Sequence, residues 1–183
     1  MSMVVVGVSD CRVSNDTSSV LVTYALGSCI AVSLHDPVAK VGGMLHYMLP
    51  ESSINLERAG QNPAMFADTG IPALFRAVYG LGAHKNRLVV RLAGGAQVIN
   101  ANGLYQIGRR NYLAAKKLLW KEGVLIFAEA VGGEVSRTVR LDVASGKLYL
   151  REGAVAEIEM SKNGSQQARV GSQMGGSQWQ SAS

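Results

Sequence analysis

The sequence predicts an α+β fold, and three observations predict it. Short runs rich in Val, Leu and Ile recur between clusters of Gly, Asn, Asp, Ser and Pro, the pattern of strands and turns. Two longer segments, one after Asp68 and one from Gly108 to Glu122, carry apolar residues at helical spacing instead. The chain has 183 residues, 48% hydrophobic and 17% charged, which fits one globular domain with a good-sized core.

Taken in order, Met3 to Val8 reads as an opening strand, Ser14 to Ser19 as a turn and Val20 to Ala25 as a second strand. Ser28 to Leu34 and Val41 to Leu49 form a hairpin about the turn Asp36 to Ala39. Pro50 to Pro63 is polar and irregular and is expected to be a mobile loop beside that hairpin. Asp68 is the expected N-cap of a helix whose buried stripe is Ile71, Leu74, Phe75, Val78 and Tyr79, with Pro72 tolerated near its start and Gly80 and Gly82 ending it. Arg87 to Ala93 is a strand running into Gly94-Gly95-Ala96. The helix Gly108 to Glu122 buries Tyr112, Ala115, Leu118 and Leu119, and Val124 to Val131 follows as a buried strand. Thr138 to Val143 and Lys147 to Arg151 make a last hairpin, and Val155 to Met160 adds a short edge strand. Residues 1–160 are read as the domain and 161–183, rich in Gly, Ser and Gln, as a disordered tail.

The hairpin carries the chemistry. If the loop is Asp36 to Ala39, His35 faces Lys40, Ile30 faces Leu45, Leu34 faces Val41, and Cys29 stands opposite His46. Directly opposed residues have Cβ atoms about 4.5–5.5 Å apart and project from the same face, so a thiol and an imidazole come within reach. A thiol with its usual pKa near ~8.5 is mostly protonated at neutral pH, and a neighbouring imidazolium would stabilise the thiolate. His46 would then return a proton to the leaving group. A slip of one residue would part the two side chains onto opposite faces.

Other chemistries find less support. The net charge of +5 comes from 18 basic and 13 acidic residues, scattered, with no nucleic-acid recognition motif; an acidic protein partner would suit such a surface equally well. His35, His46 and His84 lack zinc-ligand spacing, so no metal or other cofactor is expected. The glycine pair lacks the residues of a nucleotide-binding loop. The apolar N-terminal run is too short for a signal peptide or membrane span, which implies a cytoplasmic protein that is not membrane-inserted. A disulfide between Cys11 and Cys29 is not expected there, and Cys11 reads as a bystander.

Thr23, Leu26-Gly27-Ser28-Cys29, Asp36-Pro37 and Gly43-Met44-Leu45-His46-Tyr47-Met48-Leu49-Pro50 resemble the signature of the CheD family, bacterial chemoreceptor glutamine deamidases. The resemblance continues through Phe66-Ala67-Asp68-Thr69, Leu92 to Ala96, Ile107 to Asn111, Gly132-Gly133 and Ser145 to Leu148, spanning roughly Val4 to Glu159. It implies a mixed β-sandwich flanked by helices, similar to the catalytic domain of deamidating bacterial toxins. It also implies a triad of Cys29, His46 and Thr23, with Thr23 orienting the histidine, and places the Gly94-Gly95 loop near the active site; backbone amides near Cys29 or in that loop are the expected oxyanion donors. The implied activity is a protein-glutamine glutaminase working through a Cys29 thioester. The implied partners are methyl-accepting chemotaxis receptors as substrates and a CheC-type phosphatase as regulator. A non-catalytic adaptor that binds receptors and such a phosphatase is the competing expectation.

Overall fold

A computed structural model describes residues 1–97 and 106–162. Apart from Ser161 and Lys162, the expected tail lies outside the described residues. The chain forms β1 (Ser2–Val5), β2 (Asp10–Ser14), β3 (Ser19–Leu26), β4 (Ile30–Asp36), β5 (Val41–Tyr47), α1 (Leu56–Gln61), α2 (Ala67–Gly80), β6 (Val89–Gly94), α3 (Ile107–Lys121), β7 (Ile126–Val131), β8 (Arg137–Asp142), β9 (Leu148–Glu152) and β10 (Ile158–Glu159).

Among the described residues the strands make two five-stranded sheets, ordered β1-β3-β8-β9-β10 and β2-β5-β4-β6-β7. Both are mixed, because β1 runs parallel to β3 and β6 parallel to β7 while the other pairs are antiparallel. The sheets pack face to face: Leu21, Leu26, Val139, Leu141 and Leu148 of the first meet Ala31, Met44 and Ala93 of the second. The opposite face of the second sheet, with Val32, Leu34, Leu45, Val90 and Leu92, is covered by Ile71, Leu74 and Val78 of α2 and Tyr112, Ala115 and Leu119 of α3. Removing each such side chain from water contributes about 1.5–3 kcal/mol before entropy is counted. The expected mixed sandwich with flanking helices is therefore present, with both long helices on the second sheet.

The hairpin register differs from the expected one by two residues. Asp36 stays in the ladder opposite Val41, so Ala31, not Cys29, faces His46. The cause is the Asp36 carboxylate. It accepts the amides of Val38 and Ala39 in the turn, the amide of His84, and the guanidinium of Arg87. These partners hold its carboxyl well below the usual range despite burial and fix the loop as Pro37 to Lys40. A two-residue shift keeps every side chain on its face, so Cys29 remains on the His46 side.

Four further expectations change. The opening strand ends at Val5, and Asp10–Ser14, not expected as a strand, forms a second one in the other sheet, with Ser9 at φ 56° in the crossing between them. Pro50 to Pro63 is largely helical: α1 is capped by the Asn55 side chain, and short 3-10 turns flank it at Ser52–Ile54 and Pro63–Met65. Asp68 is not the N-cap of α2, which Phe66 occupies; its carboxylate instead accepts the amide and hydroxyl of Ser52 and ties that segment down. The strand after α3 begins at Ile126 and is the half-buried edge of the second sheet, with Leu125 exposed.

Candidate active site

Thr23 and His46 meet across the gap between the sheets. Thr23 lies on β3 of the first sheet and His46 on β5 of the second, and both are buried. The Thr23 hydroxyl donates to the Val6 carbonyl at 2.7 Å, and its oxygen lies 2.8 Å from His46 Nδ1. A hydroxyl has one hydrogen. With that hydrogen on the Val6 carbonyl, Nδ1 must carry the proton and donate to Thr23, which leaves a lone pair on Nε2. This Nε2 is buried without a hydrogen-bond partner. Burial also lowers the imidazole pKa to about 4, so at neutral pH the ring is uncharged with its basic nitrogen free.

Cys29 lies just before β4, half-buried, and packs against the same inter-sheet cluster as Ala31 and Met44. Carrying the β4–β5 register one step past its last rung puts Cys29 diagonal to His46 on the same face. Burial pushes its thiol pKa upward, opposed by a hydrogen bond from its own backbone amide. Burial thus favours the protonated thiol on Cys29 and the neutral imidazole on His46.

Three successive carbonyls hold the segment in front of β4. The Gly27 carbonyl accepts from the Ala96 amide at 2.8 Å, Ser28 from Asn111 Nδ2 at 2.9 Å, and Cys29 from the Gly95 amide at 2.8 Å. Gly94 has φ 111°, and a Cβ there would overlap the Cys29 carbonyl oxygen; glycine is required on both counts. Gly108, in the first turn of α3, packs as closely on the Gly95 backbone. The amides of Gly95 and Ala96 are therefore engaged in holding the cysteine segment, so of the expected oxyanion donors the Gly95 amide is already bonded while those near Cys29 are left.

The family model for CheD chemotactic sensory transduction matches residues 48–152, more than half of the chain. Probable chemoreceptor glutamine deamidase CheD of Solibacter usitatus is 55% identical over 152 residues, 83% of this chain and 90% of the relative. The probable CheD 1 deamidase of Syntrophus aciditrophicus is 51% identical over 151 residues, 82% and 94% of the two chains. That of Pyrococcus horikoshii is 41% identical over 162 residues, 86% and 98%. The chain belongs to the CheD family.

For this CheD-family chain, sequence reasoning missed two residues of the site's frame. Asn111 is fully buried in α3. Arg137 reaches the carbonyls of Gly132 at 2.7 Å and Gly94 at 3.3 Å, while Glu152 pairs with its guanidinium at 2.8 Å. A signal for Asn111 existed, since it shares the inward stripe of Gly108, Tyr112, Ala115 and Leu119, where a lone amide is out of place unless bonded. For Arg137 nothing in the local pattern distinguishes it from a surface arginine. Cys11 lies on β2 opposite Leu45 and packs toward the helices, away from His46. No cluster of three or more His, Cys, Asp or Glu suited to a metal occurs among the described residues, and no helix among them is long and apolar enough to cross a membrane.

Proposed function

We propose that the protein is a protein-glutamine glutaminase that converts glutamines of methyl-accepting chemotaxis receptors to glutamate. The observation that carries the reading is His46: Thr23 fixes its tautomer, burial keeps it neutral, and its Nε2 is left unbonded on a residue of the strand face that Cys29 shares. The printed names of relatives up to 55% identical, chemoreceptor glutamine deamidases, supply the substrate class.

In this reading Nε2 removes the Cys29 proton as the sulfur attacks the side-chain carboxamide carbon. The tetrahedral oxyanion collapses, His46 passes the proton to the departing nitrogen, and ammonia leaves a thioester on Cys29. Water, deprotonated by the same Nε2, hydrolyses the thioester to glutamate and restores the thiol. Thr23 keeps Nδ1 protonated throughout and steadies the imidazolium in each transition state. Of the two expected sources of an oxyanion donor, the amides near Cys29 are the candidate, the Cys29 amide itself first among them. The raised thiol pKa suits this cycle: the proton moves only when a substrate is present to take the sulfur's electrons.

The remaining parts of the reading follow the family resemblance. Residues 1–160 act as one catalytic domain in the cytoplasm, with a sandwich similar to that of deamidating toxins, and a CheC-type phosphatase regulates it. The test is ammonia release with peptide mass mapping on a chemoreceptor cytoplasmic fragment. Intact protein should raise individual glutamine peptides by the mass change of amide to acid, and Cys29→Ala should abolish it, a loss of at least ~10³-fold. Equal receptor binding by both proteins with conversion by neither would establish the adaptor instead.

A further inference from the structure

The β4–β5 ladder ends at Ile30 and Tyr47. One step beyond that rung the chains separate into Ser28-Cys29 on one side and Met48 on the other. Asn111 occupies this opening. Its Nδ2 donates to the Ser28 carbonyl at 2.9 Å and to the Met48 carbonyl at 2.7 Å, using both amide hydrogens. The side chain cannot be reversed, because its oxygen would then face two carbonyl oxygens. The Tyr47 hydroxyl locks the same residue from below by donating to the Asn111 carbonyl at 2.6 Å.

Asn111 Oδ1 is buried without a partner, an unfavourable state for an acceptor. The amide is thus held by its two donor bonds alone. Those bonds join the residue before the cysteine to the second residue after His46, the two positions whose separation sets how the thiol meets the imidazole. The Ala96 and Gly95 amides fix the carbonyls on either side of Ser28, but they come from β6 and its extension. Among the described contacts, Asn111 is what joins the cysteine segment to the end of β5.

We propose that Asn111 is a positioning residue for the nucleophile: its carboxamide replaces the missing rung of the hairpin and sets Cys29 against His46. The inference takes from the proposed function only that Cys29 reacts with the help of His46.

The test uses the full chain with Asn111→Ala and Asn111→Asp, each checked for a cooperative melting transition. Iodoacetamide labelling is followed by mass mapping from pH 5 to pH 10, with Cys11 as internal reference, and kcat and KM are measured on the receptor fragment. Asn111→Ala should lower the Cys29-to-Cys11 rate ratio about 10-fold and kcat by ~10–100-fold, with KM within about twofold, the scale of a small misplacement of a reacting group. Asn111→Asp keeps the shape and gives a pH signature. A protonated carboxyl can donate one of the two bonds, whereas the ionised form repels both carbonyls. Its rate ratio, relative to that of the native protein, should therefore fall as pH rises. Ratios within twofold of native in both folded variants at every pH would overturn the proposal, and so would failure of both to fold at every pH, which would make Asn111 a core residue only. If the native protein fails to deamidate the fragment, the proposed function falls while the labelling ratio still decides this inference.

Discussion

Cys11 and Cys29 are both half-buried thiols in one chain, yet their surroundings have little in common. Cys11 sits within a regular ladder, between β5 and the helices, where burial and the adjacent Asp10 push its pKa up to about 11. Cys29 sits where a ladder stops, each carbonyl of its segment is held by a donor from another element, and it packs against the inter-sheet cluster, on the strand face of a base with a free nitrogen. Burial alone makes a thiol inert. What separates a candidate nucleophile from a packing residue here is backbone held from outside the strand and a neutral acceptor on the same face.

That comparison breaks most completely at Gly94. Gly94→Ala forces a Cβ onto the Cys29 carbonyl at φ 111° and should cost about 3 kcal/mol or more, from backbone strain and overpacking together. Deamidation should be lost with it. Gly82→Ala has a similar φ of 95° but open space around it, so it should cost only about 1 kcal/mol and leave activity intact. Thermal melts and turnover of the two variants separate steric from conformational cost. Equal effects would mean that the Gly94 contact does not position the cysteine.

Thr23→Val tests the base rather than the nucleophile. It leaves the Val6 carbonyl and the His46 Nδ1 proton without partners, which should destabilise by ~1–3 kcal/mol and release the tautomer, lowering kcat ~10²-fold. Thr23→Ser keeps the hydroxyl and should recover most of both. Cys11→Ala, in the same assays, should stay within twofold of native.

A further effect is on pH. His46 is held near 4 when folded, against 6.5 for a free imidazole, so between those values the unfolded chain takes up a proton that the folded chain refuses. Stability should therefore fall as pH drops from 6.5 toward 4, with no contribution above that window. Buried His35 is shifted in the same direction and adds to the slope. His46→Gln should flatten the pH dependence of the melting temperature, and an unchanged slope would show that His46 is not buried as a neutral ring.

Much of the fold was legible because its signals are local. The Ile71-Leu74-Val78 stripe of α2 and the apolar runs of β3 to β6 appear where periodicity puts them, and Thr23, Cys29 and His46 all lie on the inter-sheet side. The register was not legible, because Asp36 looks like a turn residue until Arg87 and the His84 amide are seen to hold it in the ladder. Phe66 took the cap of α2 for a comparable reason, since Asp68 had Ser52 to bind. In each case a side chain's long-range partner outweighed its local preference.

By itself the sequence determined the period of most strands and of both long helices, and hence the face that Cys29 and His46 share, because alternation along a strand survives a register shift of two. It also determined the residue types of the site. Only the tertiary structure decided that Thr23, from the other sheet, accepts the Nδ1 proton, that His46 is neutral, and that Gly95, Ala96 and Asn111 hold the cysteine segment. Those relations depend on groups 23 to 83 residues apart in the chain, brought together by the packing of two sheets and a helix, and no local pattern encodes such distances.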